Sequence, residues 1–408
     1  MLRANGGRLK ASLLEMGKIG GTAAGGVTRL TLSDADKQAR DLFAAWARDA
    51  GLSVRVDDLG NQYARLEGSE PSAPPVLLGS HLDTVPAGGK FDGAFGVLTA
   101  LEVARTLRDA GVRTRRSIEV VNFTNEEGAR FEPAMIASGT LAGQFAPDYI
   151  YDRRDREGRS FGEELDRIGY RGSAANRPEE IHAYIETHIE QGPVLEAEGL
   201  PLAAVEGVLG LEWVNVTFKG LSQHAGPSPM RSRRDAMVAA ARAVVALRDL
   251  ALEYPDPAVV TVGRFQPIPG VINQIPGEVI VGIDMRLPSA QVLDEVGERA
   301  RGLIQRIATE EKVDALVETI RKVPPTIFDR GLVELIEAEI VAEGLPRKRM
   351  TSGAGHDAVY INEIAPTAML FVRTVGGKSH CETEAINWED AQQAADVLLR
   401  VVMRLAGS

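Results

Sequence analysis

Four apolar, strand-like runs in this chain each give way to a short polar motif bearing histidine or a carboxylate, and this constrains the fold most. Pro75 to Leu78 leads into GSHLDTVPAGGKFDG (79–93), with His81, Asp83 and Asp92. Ser117 to Phe123 (SIEVVNF) ends at Asn125-Glu126-Glu127-Gly128, Tyr184 to Ile189 carries His188 in ETHIEQGPVLE, and Ala368 to Val372 leads to His380 in GGKSHCETE. Helical patterns alternate with these runs. Leu32 to Ala50 reads as a helix with Ser33 as N-cap and Gly51 just past its end. Gly96 to Leu107 places Val97, Leu101, Ala104 and Leu107 on one stripe. A strand at Ser53 to Asp57 is followed by GNQYARLEG, which reads as a hairpin. Such alternation predicts an α/β fold, a mostly parallel sheet with helices on both faces. Sites on such sheets form at the C-terminal ends of strands.

From about Gly207 the pattern changes. Strands are expected at Leu211–Lys219, Ala258–Phe265, Glu278–Arg286 and Val313–Arg321, and helices at Asp235–Tyr254 and Gln291–Glu310. That order fits a four-stranded antiparallel sheet with two helices, an α+β domain inserted into the first. Pro324-Pro325 marks the return, followed by a helix at Asp329 to Glu343. The expected division is 1–207 with 325–408, and 208–324 for the insertion.

The chain has 408 residues but six histidines, and five of them sit beside Gly, acidic or amide residues at the ends of apolar runs. His81 and Asp83, two apart, share a face of an extended strand. Asp83 is then expected to hydrogen-bond the imidazole nitrogen that does not touch a metal. An HxD pair alone is more often a satisfied turn. Glu126 and Glu127 repel each other unless a cation is near. With a metal present, one ligates and the other takes a proton from water. Glu186, His188 and Glu190 share a strand face that is costly to bury without a cation. His81, Asp92, Glu127, His188 and His380 together make five ligands for divalent metal, with Asp92 able to bridge two ions.

Composition narrows the class. A single cysteine, Cys381, leaves no disulfide framework and no CxxC metal site. The net charge of −11 argues against a nucleic-acid partner. No apolar run is long enough for a membrane helix, and Arg3, Arg8 and Lys10 are not followed by a secretory core. A cytoplasmic enzyme is expected.

These motifs, SHLDTVPAGGKFDG, NEEGARF, HIEQGPVLE, QHAGPSPM and GAGHDA, resemble the M20-type metallohydrolases across nearly the whole chain. Within them the resemblance is to the hydantoinase/carbamoylase branch, which includes N-carbamoyl-L-amino-acid hydrolases, β-ureidopropionases and allantoate amidohydrolases. It implies a zinc-exopeptidase-like catalytic domain, a lid and dimerisation domain, and two divalent ions per subunit: zinc foremost, with manganese, cobalt and nickel also accepted. By resemblance Asp92 bridges, His81 and His188 hold one ion, Glu127 and His380 the other, and Glu126 is the general base with Asp83 behind the site. His188 stands where peptidase branches usually carry a carboxylate. His224 is implied to stabilise the oxyanion across the interface of a homodimer. Gln191, Asn273, Arg286 and Gly355 are implied substrate contacts, Arg286 clamping a carboxylate. His356 and Asp357 are implied supports, whereas His182 matches no motif. Cys381-Glu382 departs from the more usual Asn-Pro or Ser-Pro after the metal-site histidine. The implied reaction is cleavage of the carbamoyl C–N bond of an N-carbamoyl-L-amino acid or a related ureido acid. Allantoate amidohydrolysis is the alternative, and a dipeptidase or aminoacylase a more distant one. A non-catalytic relative would lack a ligand or Glu126, and neither is lost.

Overall fold

The computed structural model describes residues 2–407, and in it each of the four strand-like runs is a strand. In chain order the strands used below are β1 (Ser53–Val56), β2 (Gln62–Leu66), β3 (Val76–His81), β4 (Ile118–Phe123), β5 (Ala183–Ile189), β6 (Leu202–Val208), β7 (Gly210–Lys219), β8 (Val259–Ile268), β9 (Glu278–Leu287), β10 (Asp314–Val323) and β11 (Thr367–Val372). The helices are α1 (Gly6–Met16), α2 (Asp34–Asp49), α3 (Ala94–Asp109), α4 (Ala236–Ala251), α5 (Ala290–Glu311), α6 (Arg330–Ala342) and α7 (Trp388–Ala406). The chain divides into two units. The second is Gly207–Ile327 with Thr351–Gly353, and the remaining described residues form the first.

The first unit is a mixed α/β layer structure. Its sheet runs β1-β2-β4-β3-β5-β11-β6. At its centre the pairing is parallel, β4 to β3, β3 to β5 and β5 to β11. The flanking pairs β1–β2, β2–β4 and β11–β6 are antiparallel, and of these only β1 and β2 are joined by a short turn. GNQYARLEG supplies only the second arm of the expected hairpin; β1 is the first. The central strands are buried along their whole length, as strands covered on both faces must be.

Ser33 caps α2 by accepting from the amide of Asp36, the role its position before the apolar pattern predicts. Helix α3 differs from expectation: Ala94 through Leu107 are all buried, not one stripe. It packs on β3 and β5 while α1 and α7 close over it. Small residues at 94, 96, 100 and 104 permit that close packing. The one acid in its interior, Glu102, is held by the Arg8 guanidinium at 2.7 and 2.8 Å.

The second unit is a four-stranded antiparallel sheet, order β10-β7-β9-β8. Burial alternates along β7 and β9, so one face is apolar. Val214, Val216, Phe218, Val279 and Val281 on that face form one core with Ala240, Leu247, Val296 and Ile304 of α4 and α5.

Candidate metal centre

The four central strands run in one direction, so their C-terminal ends share one edge of the sheet. Gly79 pairs with Glu186 and His188 with Phe371, and continuing the first register sets His81 level with His188. Their rings lie 6.0 Å apart. In both rings Nδ1 is committed to a main-chain carbonyl, of Asp83 for His81 and of Ile189 for His188, each at 2.9 Å. Both Nε2 atoms are thereby left as acceptors facing the centre.

The expected bond from the Asp83 carboxylate to His81 is not made; that carboxylate stands 3.9 Å away. The strand ends at His81, and the next carbonyl, of Leu82, is taken by the buried Arg29 guanidinium. Alternation of side chains therefore does not extend to Asp83. Its carboxylate accepts instead from the Thr31 hydroxyl at 2.8 Å and from the amides of Glu126 and Glu127 at 3.2 and 3.3 Å. Asp83 thus sets the backbone that aims both glutamates.

Asp92 lies between two sets of groups. Its Oδ1 is 3.1 Å from His188 Nε2 and 3.7 Å from His81 Nε2, while Oδ2 is 3.3 Å from His380 Nε2. His380 Nε2 is also 3.4 Å from Glu127 Oε2, and Glu126 Oε2 lies 3.5 Å from His81 Nε2. The potential ligand atoms of His81, Asp92 and His188 fall within 4.8 Å of one another, and so do those of Asp92, Glu127 and His380. Gly93 is required next door: its φ is +62°, and a Cβ there would sit 2.4 Å from the His81 ring. Asn125, Gln191 and His380 also take left-handed backbone, a strain that concentrates at functional sites. Asn125 holds its conformation by donating to the carbonyls of Phe131 and Pro133.

The electrostatics call for a cation. Burial, then the charge of Glu127, pushes Glu126 well above the usual carboxylate range; burial and Asp92 do the same to Glu127. Asp92 is held well below that range, against its burial, by His188 and His380. His188, also against burial, is raised to about 9 by Asp92. Burial and His188 keep His356 uncharged. Glu127 Oε1 is buried with no partner. Imidazole nitrogens and carboxylate oxygens in this number suit divalent metal, and the residues present fit it. In a third grouping, Glu186, His188 and His356, the Glu186 oxygens already accept from the hydroxyls of Ser80 and Tyr184 and the amide of Ala358.

Among the remaining candidates, Gln191 donates from Nε2 to Asp92 Oδ2 at 2.8 Å and to Ser379 Oγ at 3.2 Å. Gly355 packs against Met135, whose Cε a Cβ would approach to 2.9 Å. His224, Asn273 and Arg286 belong to the second unit. His224 and Asn273 are neighbours: Gln223–His224 pairs with Gln274–Ile275, and the Ala225 amide donates to the Asn273 carbonyl. Arg286 bonds Asp284 at 2.9 Å and the Gly353 carbonyl at 2.6 Å. Two participants are absent from the sequence reading, Ser379 and Glu384. Glu384 Oε1 accepts from the amides of Phe91 and Asp92, and burial and Asp92 raise it to about 7. Only its spacing, four residues after His380, could have signalled it.

Comparison with known proteins gives the family. The model for peptidase family M20/M25/M40 matches residues 77–404. An N-carbamoyl-L-amino-acid amidohydrolase of Rhizobium meliloti is 44% identical over 404 residues, covering 99% of this chain and 97% of that protein. Allantoate amidohydrolase of Escherichia coli (strain K12) is 33% identical over 402 residues, covering 98% and 97%. The crystal structure of an amidase of the hydantoinase/carbamoylase family from Burkholderia multivorans superposes with a TM-score of 0.96 at 44% identity, covering 100% of this chain and 99% of that one.

Proposed function

This chain belongs to peptidase family M20/M25/M40, in its hydantoinase/carbamoylase branch, and from that premise we propose that it hydrolyses the carbamoyl C–N bond of N-carbamoyl-L-amino acids. The products are the amino acid, carbon dioxide and ammonia. The observation that carries this reading is the division of Asp92, one oxygen toward His81 and His188 and the other toward His380. It supports two divalent ions, His81 and His188 holding one, Glu127 and His380 the other, and Asp92 both. Zinc heads the candidates, and manganese, cobalt and nickel accept the same donors. When bound, the pair supplies Lewis-acid polarisation of the substrate carbonyl and makes an attacking water more acidic.

The chain's own residues do the rest. Glu126, aimed into the site by the hydrogen bond its main-chain N–H donates to the Asp83 carboxylate, accepts the proton of the attacking water and delivers it to the departing nitrogen. Asp83 fixes that geometry without touching substrate. His224 donates to the developing oxyanion, and Arg286 pairs with the substrate carboxylate, leaving Asp284 to do so. Asn273, beside His224 on its ribbon, and Gln191 and Gly355 complete the substrate contacts. The second unit serves as lid and dimerisation domain, with His224 acting in the partner's site of a homodimer, in a cytoplasmic setting. Allantoate is the second reading, resting on the full-length similarity to the Escherichia coli allantoate amidohydrolase. A substrate panel tests the choice. Ammonia release from N-carbamoyl-L-amino acids should exceed that from allantoate, with N-acyl amino acids and dipeptides inert; a panel led by dipeptides would overturn the proposal.

A further inference from the structure

We infer that Glu384 is a positioning residue for the bridging carboxylate, joining the loop of Asp92 to the loop of His380; this rests on the metal-centre reading above. Its side chain is buried, 5% exposed. Oε1 accepts from the main-chain amides of Phe91 at 2.9 Å and Asp92 at 3.1 Å, and Oε2 accepts from the Ser379 hydroxyl at 3.2 Å. Ser379 Oγ is also 3.2 Å from Asp92 Oδ2, the oxygen that faces His380. A single carboxylate therefore fixes the backbone of Asp92 directly and holds Ser379, the residue preceding His380, beside its outer oxygen.

Ser379 has one proton to give, and two carboxylate oxygens stand at equal distance from it. While Glu384 takes that proton, Asp92 Oδ2, which accepts from Gln191 Nε2 at 2.8 Å, keeps its remaining lone pair for an ion shared with Glu127 and His380. Gly89 makes the arrangement possible. A Cβ at 89 would lie 1.9 Å from the Glu384 carboxyl carbon, so any side chain there displaces the glutamate. Gly89 in the opening motif thereby acquires a purpose unrelated to turn formation: room for a residue 295 positions later in the sequence. Because Glu384 also reaches Ser379, next to His380 and beside the Asp92 oxygen that faces it, its removal should weaken that ion more than the other.

Ion uptake by the whole chain, stripped with chelator and titrated with Zn²⁺ or Mn²⁺ under calorimetry, tests this without reference to turnover. Wild type should take two ions per subunit. Glu384→Ala should hold one normally and the other roughly 10–100-fold more weakly, the usual cost of losing a support behind a ligand. Glu384→Gln should stay close to wild type, since its amide oxygen still accepts both main-chain N–H groups and its NH₂ can donate to Ser379. Tight uptake of both ions by Glu384→Ala would overturn the inference alone. Failure of wild type to take any ion would overturn the metal-centre reading and this inference with it. Should Glu384→Ala not fold, Gly89→Ala decides: selective weakening of one ion supports the inference, and two tight ions refute it.

Discussion

Glu126 and Glu127 are consecutive, buried and within reach of the same histidines, yet their surroundings assign them different work. Glu127 shares His380 with Asp92 and has a bare oxygen, whereas Glu126 points toward His81. Replacing Glu126 by Gln should therefore leave ion content at two per subunit while lowering turnover by at least about 10²–10⁴-fold, the usual contribution of a positioned base. Ion analysis beside an ammonia assay checks both halves, and near-normal turnover would remove Glu126 from the mechanism. The pH dependence of stability follows from the same groups. Glu384 at about 7 and His188 at about 9 bind protons more tightly in the folded chain than at their ordinary values of 4.5 and 6.5. Folding of the metal-free protein thus takes up protons, and its stability should fall as pH rises from about 5 to 9. Asp92, held low, acts in the opposite sense only in strong acid; His356, kept uncharged, opposes the trend below about 6.5 but is outnumbered by the raised carboxyls of Glu126, Glu127 and Glu384. Ligand ions reverse the trend, since they require deprotonated donors. Melting temperatures of the chelated protein at pH 5, 7 and 9 should decline in that order, and a rise would contradict this assignment.

Elements place these residues, and most elements were legible from period and capping alone. The four central strands, α2, α4 and α5 follow from apolar runs, Ser33 and alternating burial. What escaped has a common physical cause. Helix α3 reads as amphipathic because its sequence cannot reveal that α1 and α7, distant in the chain, cover its outer face. The role of Asp83 was misread because a strand's alternation stops where Arg29 captures the Leu82 carbonyl. Glu384 was overlooked because an acid in a polar loop looks solvated until Phe91 and Asp92 are seen donating to it. In each case the missing information was a contact remote in the chain, 53 residues for Arg29 with Leu82 and 293 for Glu384 with Phe91, not a local preference. The burial of α3 makes a quantitative expectation. Leu101, fully buried, should cost about 2–5 kcal/mol when truncated to Ala. A shift in the urea midpoint with unchanged slope would report it, and a loss below about 1 kcal/mol would mean that the helix is less enclosed than described.

At the scale of the molecule, chemistry is divided between two units: the metal-type residues in the first, His224, Asn273 and Arg286 in the second. If His224 serves the partner's site, Glu126→Gln and His224→Ala are each inactive alone but complement when co-expressed. A statistical mixture then regains about a quarter of wild-type activity, because half the dimers carry one intact site. No recovery would place His224 in its own subunit's site. The central claim is that a two-ion centre organised by Asp92 cleaves the carbamoyl bond, and one titration addresses it directly. Chelated protein is given increasing Zn²⁺, Mn²⁺, Co²⁺ or Ni²⁺ while ammonia release from an N-carbamoyl-L-amino acid is followed. The account requires activity to be absent without metal and to reach its plateau at two ions per subunit for at least one of these metals. Full activity without metal, a plateau at one ion, or no ammonia with any of them would contradict it.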